Sequence, residues 1–123
     1  MTELEIKTAE LNNLIFNEET LRAIELFYSD TVTMQENEEE PRIGKQSCLD
    51  NEKQNLKNVK HFKCRLLNQA INTNENVVFS EWEITCTYKN NKIIKLTEVS
   101  VQHWEKGLVS KEKFYYKDLC RIS

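Results

Sequence analysis

Between Val77 and Tyr116, apolar and polar residues alternate in three runs: VVFSEWEITCTY, IIKLTEVSVQHWE and LVSKEKFYY. The breaks between them are KNNK and KG. Period-two alternation bounded by turn residues predicts an antiparallel meander of three strands. Asn90-Asn91 and Lys106-Gly107 supply the positive dihedrals of tight hairpins. Successive strand residues face opposite ways. Val78, Ser80, Trp82, Ile84, Cys86 and Tyr88 therefore share a face, as do Glu98, Ser100, Gln102 and Trp104, and then Glu112, Phe114 and Tyr116. The combined face is aromatic and apolar with a few polar groups, which suits the wall of a cavity. The opposite face carries Phe79, Glu81, Val99, Val101, His103, Lys113 and Tyr115. Apolar and charged groups mixed in this way suit a wet dimer interface, and His103 is read as interfacial rather than catalytic.

Upstream, Phe62, Cys64, Leu66 and Asn68 alternate with Lys63, Arg65, Leu67 and Gln69, which predicts a fourth long strand. The first third of the chain has a helical period instead. Thr2 and Glu5 can form a capping box, and Leu4, Leu11, Leu14 and Ile15 fall on one face of a helix ending near Phe16. Asn17 is expected to cap a second helix, with Glu18 and Glu19 in its first turn. That helix has a stripe of Leu21, Ile24, Phe27 and Tyr28 and is closed by Asp30. Thr31 to Gln35 predicts a short strand, and 36–44 a loop holding Pro41 and Gly44. Lys45 to Leu56 predicts a polar surface helix. Helices first and a sheet afterwards give an α+β layer architecture, in one domain, 1–123.

Composition narrows the chemistry. Seventeen basic residues against twenty acidic ones leave a net charge of −3. No basic stripe stands out, so no nucleic-acid partner is expected. The block Glu36 to Glu40 suits a solvated loop better than a metal site. The cysteines at 48, 64, 86 and 120 form no CxxC pair and share no zinc spacing with His61 or His103, so neither metal nor cofactor is expected. Cys64 and Cys86 sit on apolar strand faces, where a free thiol behaves as a small hydrophobe. No Ser or Cys stands at a triad spacing, which argues against nucleophilic hydrolysis. The acidic start is no secretory signal and no apolar run spans a bilayer. The expectation is a cytoplasmic protein without a membrane partner and with reduced thiols.

Two N-terminal helices leading into FYSDTVTM, a loop ending in PRIGK, the strand VVFSEWEIT and the closing WEKGLVSKEKFYYKD resemble the SnoaL-like polyketide cyclases of the nuclear transport factor 2-like superfamily. The resemblance covers nearly the whole chain. It implies N-terminal helices packed in the concave face of a curved antiparallel sheet, as a cone-shaped α+β barrel. It also implies a ligand inside the cone and a homodimer through the outer sheet face. Functions in the superfamily run from cyclisation, isomerisation, dehydration and epoxide hydrolysis to plain binding, so activity does not follow from fold. The position of the isomerases' general base falls on Glu36 when aligned from Phe27-Tyr28, and on Gln35 when aligned back from Pro41-Arg42. The positions of their two oxyanion donors fall near Asn12 and Ser100. The epoxide hydrolases' arginine between two carboxylates has no evident counterpart among Arg22, Arg42, Arg65 and Arg121. The cyclases' late-strand acid has the parity of Glu98 and Glu112.

The candidate proton-transfer groups are thus Glu98, Glu112 and Glu36. The candidate ligand contacts are Tyr28, Met34, Trp82, Gln102, Trp104, Phe114 and Tyr116, with Tyr28 or Tyr116 as hydrogen-bond donor. An ionised carboxylate on a buried aromatic face is costly without partners. Its pKa rises or a donor neutralises it, and a raised carboxylate can move protons. The competing reading puts these carboxylates at the rim, paired with lysines, and makes Trp82 and Trp104 core. Two functions stay open. One is a cofactor-free isomerase or cyclase acting on a hydrophobic carbonyl compound; the other is a non-catalytic dimeric binding or interaction module. The first requires a cavity of roughly a few hundred Å³ holding a carboxylate, whereas the second fills the cone with Trp82, Trp104, Phe114 and Tyr116.

Overall fold

The computed structural model describes residues 1–117; Cys120 and Arg121 lie outside the described residues. In chain order the elements are α1 (Glu3–Phe16), α2 (Thr20–Phe27), β1 (Tyr28–Glu36), β2 (Arg42–Ile43), α3 (Lys45–Leu56), β3 (Val59–Asn72), β4 (Val77–Tyr88), β5 (Ile93–Glu105) and β6 (Leu108–Tyr116). The strands form one six-stranded sheet in the order β2-β1-β6-β5-β4-β3. The helices cover one face of it, where Leu11, Ala23 and Ile24 meet Val32, Val78, Trp104 and Val109. This is the expected α+β architecture with one correction. The sheet is mixed and open, because β1 runs parallel to β6. After β1 the chain crosses through α3 to the far edge and returns by three hairpin-linked antiparallel pairings. It therefore reaches β1 again running in the same direction.

The capping box of α1 forms, with Thr2 Oγ1 accepting from Glu5 N at 3.1 Å and Glu5 Oε1 from Thr2 N at 3.0 Å. Asn17, expected as the cap of α2, closes α1 instead. Asn17, Glu18 and Glu19 turn their N–H groups back onto the last carbonyls of α1, Glu18 at a φ of 60°. That use of the backbone leaves α2 to start at Thr20 with no side-chain cap. Tyr28 was expected as the last helical residue. It caps α2 through its N–H to Ile24 O, and its extended dihedrals (φ −103°, ψ 140°) make it the first residue of β1. The strand predicted over 31–35 is accordingly nine residues long.

Two bulges set which residues face the helices. Leu66 pairs with Trp82 but Asn68 pairs with Glu81, so the alternation slips at Leu67. Asn68 thereby leaves the face expected of it, and Gln69 turns inward opposite Ser80. A second irregularity lies between His103 (opposite Lys111) and Trp104 (opposite Val109). The Lys106-Gly107 turn has positive φ at both residues, 53° and 80°, whereas in the Asn90-Asn91 turn only Asn91 does, at 70°.

Gly44 joins β2 to α3 at φ 94° and ψ 144°. An added Cβ there would make only an ordinary van der Waals contact, with Asp30 O at 3.8 Å. The demand for glycine is therefore conformational. Gly44→Ala should lower the unfolding free energy by about 1–3 kcal/mol in a denaturant titration, with the helical circular dichroism unchanged.

Candidate functional site

Between the helices and the sheet lies a cavity of about 400 Å³. The sheet contributes Trp82, Glu98, Ser100, Gln102, Glu112, Phe114 and Tyr116, β1 contributes Tyr28, Met34 and Glu36, and α3 contributes Cys48, Asn51, Glu52 and Asn55. All the residues singled out from the sequence line it except Trp104. That indole is on the expected face but beyond the end of the cavity. There Phe27 packs edge-on against it, ring centroids 6.4 Å apart, and the helices close the core. Trp82 lines the cavity at 5% exposure, with Phe16 edge-on at 5.6 Å.

Hydrogen bonds organise the deep end. Tyr28 Oη donates to Glu112 Oε1. Gln102 Nε2 donates to Glu112 Oε2 at 2.8 Å, and Trp104 Nε1 donates to Gln102 Oε1 at 3.2 Å. A second chain runs along the wall, from Asn12 Nδ2 to Gln69 Oε1 at 3.2 Å and from Gln69 Nε2 to Ser80 Oγ at 2.8 Å. At the far side Arg42 Nη1 lies 3.5 Å from Glu36 Oε2. The charge of Arg42 also lowers the proton affinity of Glu52. One guanidinium thus serves two cavity carboxylates, an arrangement the sequence did not reveal.

This architecture has close structural counterparts. An NTF2-like protein of unknown function from Burkholderia pseudomallei K96243 superposes with a TM-score of 0.82 over 99% of this chain and 95% of its own, at 10% identity. A candidate SnoaL-like polyketide cyclase from Jannaschia sp. CCS1 gives 0.80 over 99% and 92%, also at 10% identity. The fold is that of the nuclear transport factor 2-like proteins. A candidate isomerase from Bacillus subtilis superposes with a TM-score of 0.77 over 97% of this chain and 91% of its own, at 17% identity. Likeness at such identities establishes the fold and leaves activity open. No family model matches the sequence, and no protein of curated function matches it.

Within this cavity the carboxylates are electrostatically distinct. Burial pushes Glu112 up to about 7, against the opposing pull of hydrogen bonds from Tyr28, Gln102 and Ser100. Burial first, and then the like charges of Glu112, Glu36 and Glu52, push Glu98 up to about 8; among the described residues no hydrogen bond offsets them. Glu52 is raised by burial and by Glu36. Burial and the adjacent Glu112 charge raise the Tyr28 phenol, so it stays protonated. Burial also raises the thiols of Cys48, Cys64 and Cys86, Cys64 to about 12, which keeps them inert as nucleophiles. Among the described residues no cluster of three or more His, Cys, Asp or Glu is arranged to hold a metal ion, and no helix is long and apolar enough to cross a membrane.

Glu52 is the functional candidate that sequence reasoning missed. Cys48, Glu52 and Asn55 recur at helical spacing on one face of α3, so its cavity-facing stripe is polar and imitates a solvated surface. The cavity lining shows where that stripe points, and burial raises the proton affinity of Glu52 accordingly.

The shift of Glu98 has a measurable consequence. Folded protein holds the Glu98 proton up to about pH 8, whereas an unfolded chain releases it near 4.5. The folded state binds more protons across that window, so the contribution of Glu98 to stability is full below pH 4.5 and is lost as pH rises towards 8. Glu98→Gln should match wild type to within about half a kcal/mol at pH 4.5 and exceed it by roughly 4–5 kcal/mol at pH 8.5, read from urea unfolding at each pH.

Proposed function

We propose that the cavity binds a hydrophobic carbonyl compound and moves a proton on it, as a cofactor-free isomerase or cyclase. The observation that supports this most is the pair Glu98 and Glu112, two carboxylates with proton affinities near neutral pH in one aromatic cavity. Carboxylates tuned to the working pH are what general acid–base catalysis needs. Glu112, held towards its anion by donors, is the base that takes a proton from the carbon beside the carbonyl. Glu98, protonated at neutral pH, donates to the carbonyl oxygen as negative charge develops there. Glu36, tied to Arg42, orients rather than reacts, and Met34, Trp82, Phe114 and Tyr116 hold the apolar body. The neighbour named as an isomerase agrees with this class of reaction. The same reading keeps the protein in the cytoplasm, where its thiols remain reduced.

The test is proton–deuterium exchange on a panel of cyclic and aromatic ketones in deuterium oxide, followed by NMR. Exchange should rise with pH through about 7, as Glu112 ionises, and fall through about 8, as Glu98 loses its proton. The two groups interact, so these midpoints belong to the pair. Glu112→Gln should slow exchange by roughly 10²–10⁴-fold. No exchange above buffer, or exchange indifferent to both Glu112→Gln and Glu98→Gln, overturns the reading.

We also propose that two copies pair through the uncovered face of the sheet. Phe79 and Tyr115 are each 45% exposed there, with Val101 opposite Phe79 and Val99 opposite Tyr115 in the sheet register. A contiguous apolar strip of this kind marks an association surface. Light scattering at about 100 µM should give a dimer for wild type and a monomer for the double variant Phe79→Glu, Tyr115→Glu. A monomeric wild type, or a dimer unmoved by these changes, overturns the pairing.

A further inference from the structure

We propose that Trp104 is a positioning residue for Glu112: although its indole stands outside the cavity, it fixes the amide of Gln102 and so decides which donors the carboxylate meets. A side-chain amide has one donating and one accepting end. The Trp104 Nε1–H, 3.2 Å from Gln102 Oε1, can only donate. Turning the Gln102 amide over would set its NH₂ against that N–H and lose the bond. The amide is therefore held with Nε2 towards Glu112 Oε2, at 2.8 Å.

The lock has a direction. A protonated Glu112 would gain if Gln102 presented its oxygen, and Trp104 denies it that acceptor. A proton arriving on Glu112 must be shared with the oxygen of Tyr28 or of Ser100, or be directed into the cavity. Trp104 thus favours the anion of Glu112 and leaves its proton only Tyr28, Ser100 or the cavity as acceptors. The titratable groups that act on Glu112 or feel its charge are Tyr28 from β1, Cys48 and Glu52 from α3, and Glu98 from β5. All of these acids disfavour the anion when charged, so the fixed donors are what keep it accessible. Packing of Trp104 against Phe27 is the competing account, and it predicts no effect on titration.

The inference deepens the proton-transfer reading and rests on it only for its catalytic consequence, because the test needs no ligand. The carboxyl carbons of ¹³C-glutamate-labelled protein are titrated by NMR, with the Glu112 signal identified by its loss in Glu112→Gln. Trp104→Phe, which keeps a ring against Phe27, should raise the Glu112 midpoint by about half a pH unit, and Gln102→Leu by about one or more. In wild type the Trp104 indole N–H resonance should shift with the same midpoint, an observation that requires no variant. A flat indole resonance, or a Glu112 midpoint unchanged in Trp104→Phe, overturns the proposal. If the midpoints move but no carbonyl compound exchanges its protons, the positioning role stands and the proton-transfer reading falls.

Discussion

Glu112 is 2% exposed on the aromatic side of the sheet, and an ionised carboxylate in that position is costly unless donors surround it. Three separate features of the fold meet this demand. The parallel pairing of β1 with β6 carries Tyr28 within reach. The antiparallel register places Gln102 directly opposite Glu112, and Ser100 two residues along β5. Removing any of these pairings would strand a charge in an apolar interior. The topology of the sheet and the chemistry of the cavity are therefore one problem with one solution.

Much of this was legible in the chain. The period-two runs of β4, β5 and β6 placed Ser80, Trp82, Glu98, Ser100, Gln102 and Glu112 on one face, and the register opposes Trp82 to Glu98 and Glu98 to Tyr116 as that alternation requires. Short hairpins preserve parity, so local pattern was enough there. What escaped was long-range or locally silent. The Tyr28–Glu112 bond joins residues 84 apart, and the parallel pairing beneath it leaves no local signature. The slip at Leu67 is silent because Leu66 and Leu67 are both apolar, so either residue can take the inward place. The polar stripe of α3 reads the same whether it faces water or a cavity. Trp104 had the right face, but how far the helices extend along that face is a tertiary fact.

The cavity is also an omission from the core. Around 400 Å³ of space is left where large side chains could have met. Stability then rests on the packed end, where Leu11, Val32, Val78 and Val109 are almost wholly enclosed. A hollow end and a packed end divide the molecule along the length of its strands. Trp104 and Gln102 sit where the two meet, so a core residue is hydrogen-bonded through one amide to a cavity carboxylate.

Tyr28 stands at another such junction. It ends α2 and begins β1 with no residue between. Without a connecting loop the junction has no slack. The phenol is aimed jointly by a helix axis and a strand direction, and any small tilt of α2 moves the oxygen that touches Glu112. On the proton-transfer reading, a guest that wedged α2 away from the sheet would break the Tyr28–Glu112 contact, whereas one that let the helix settle would keep it. The absence of a linker thus ties the pitch of α2 to the position of the phenol inside the cavity.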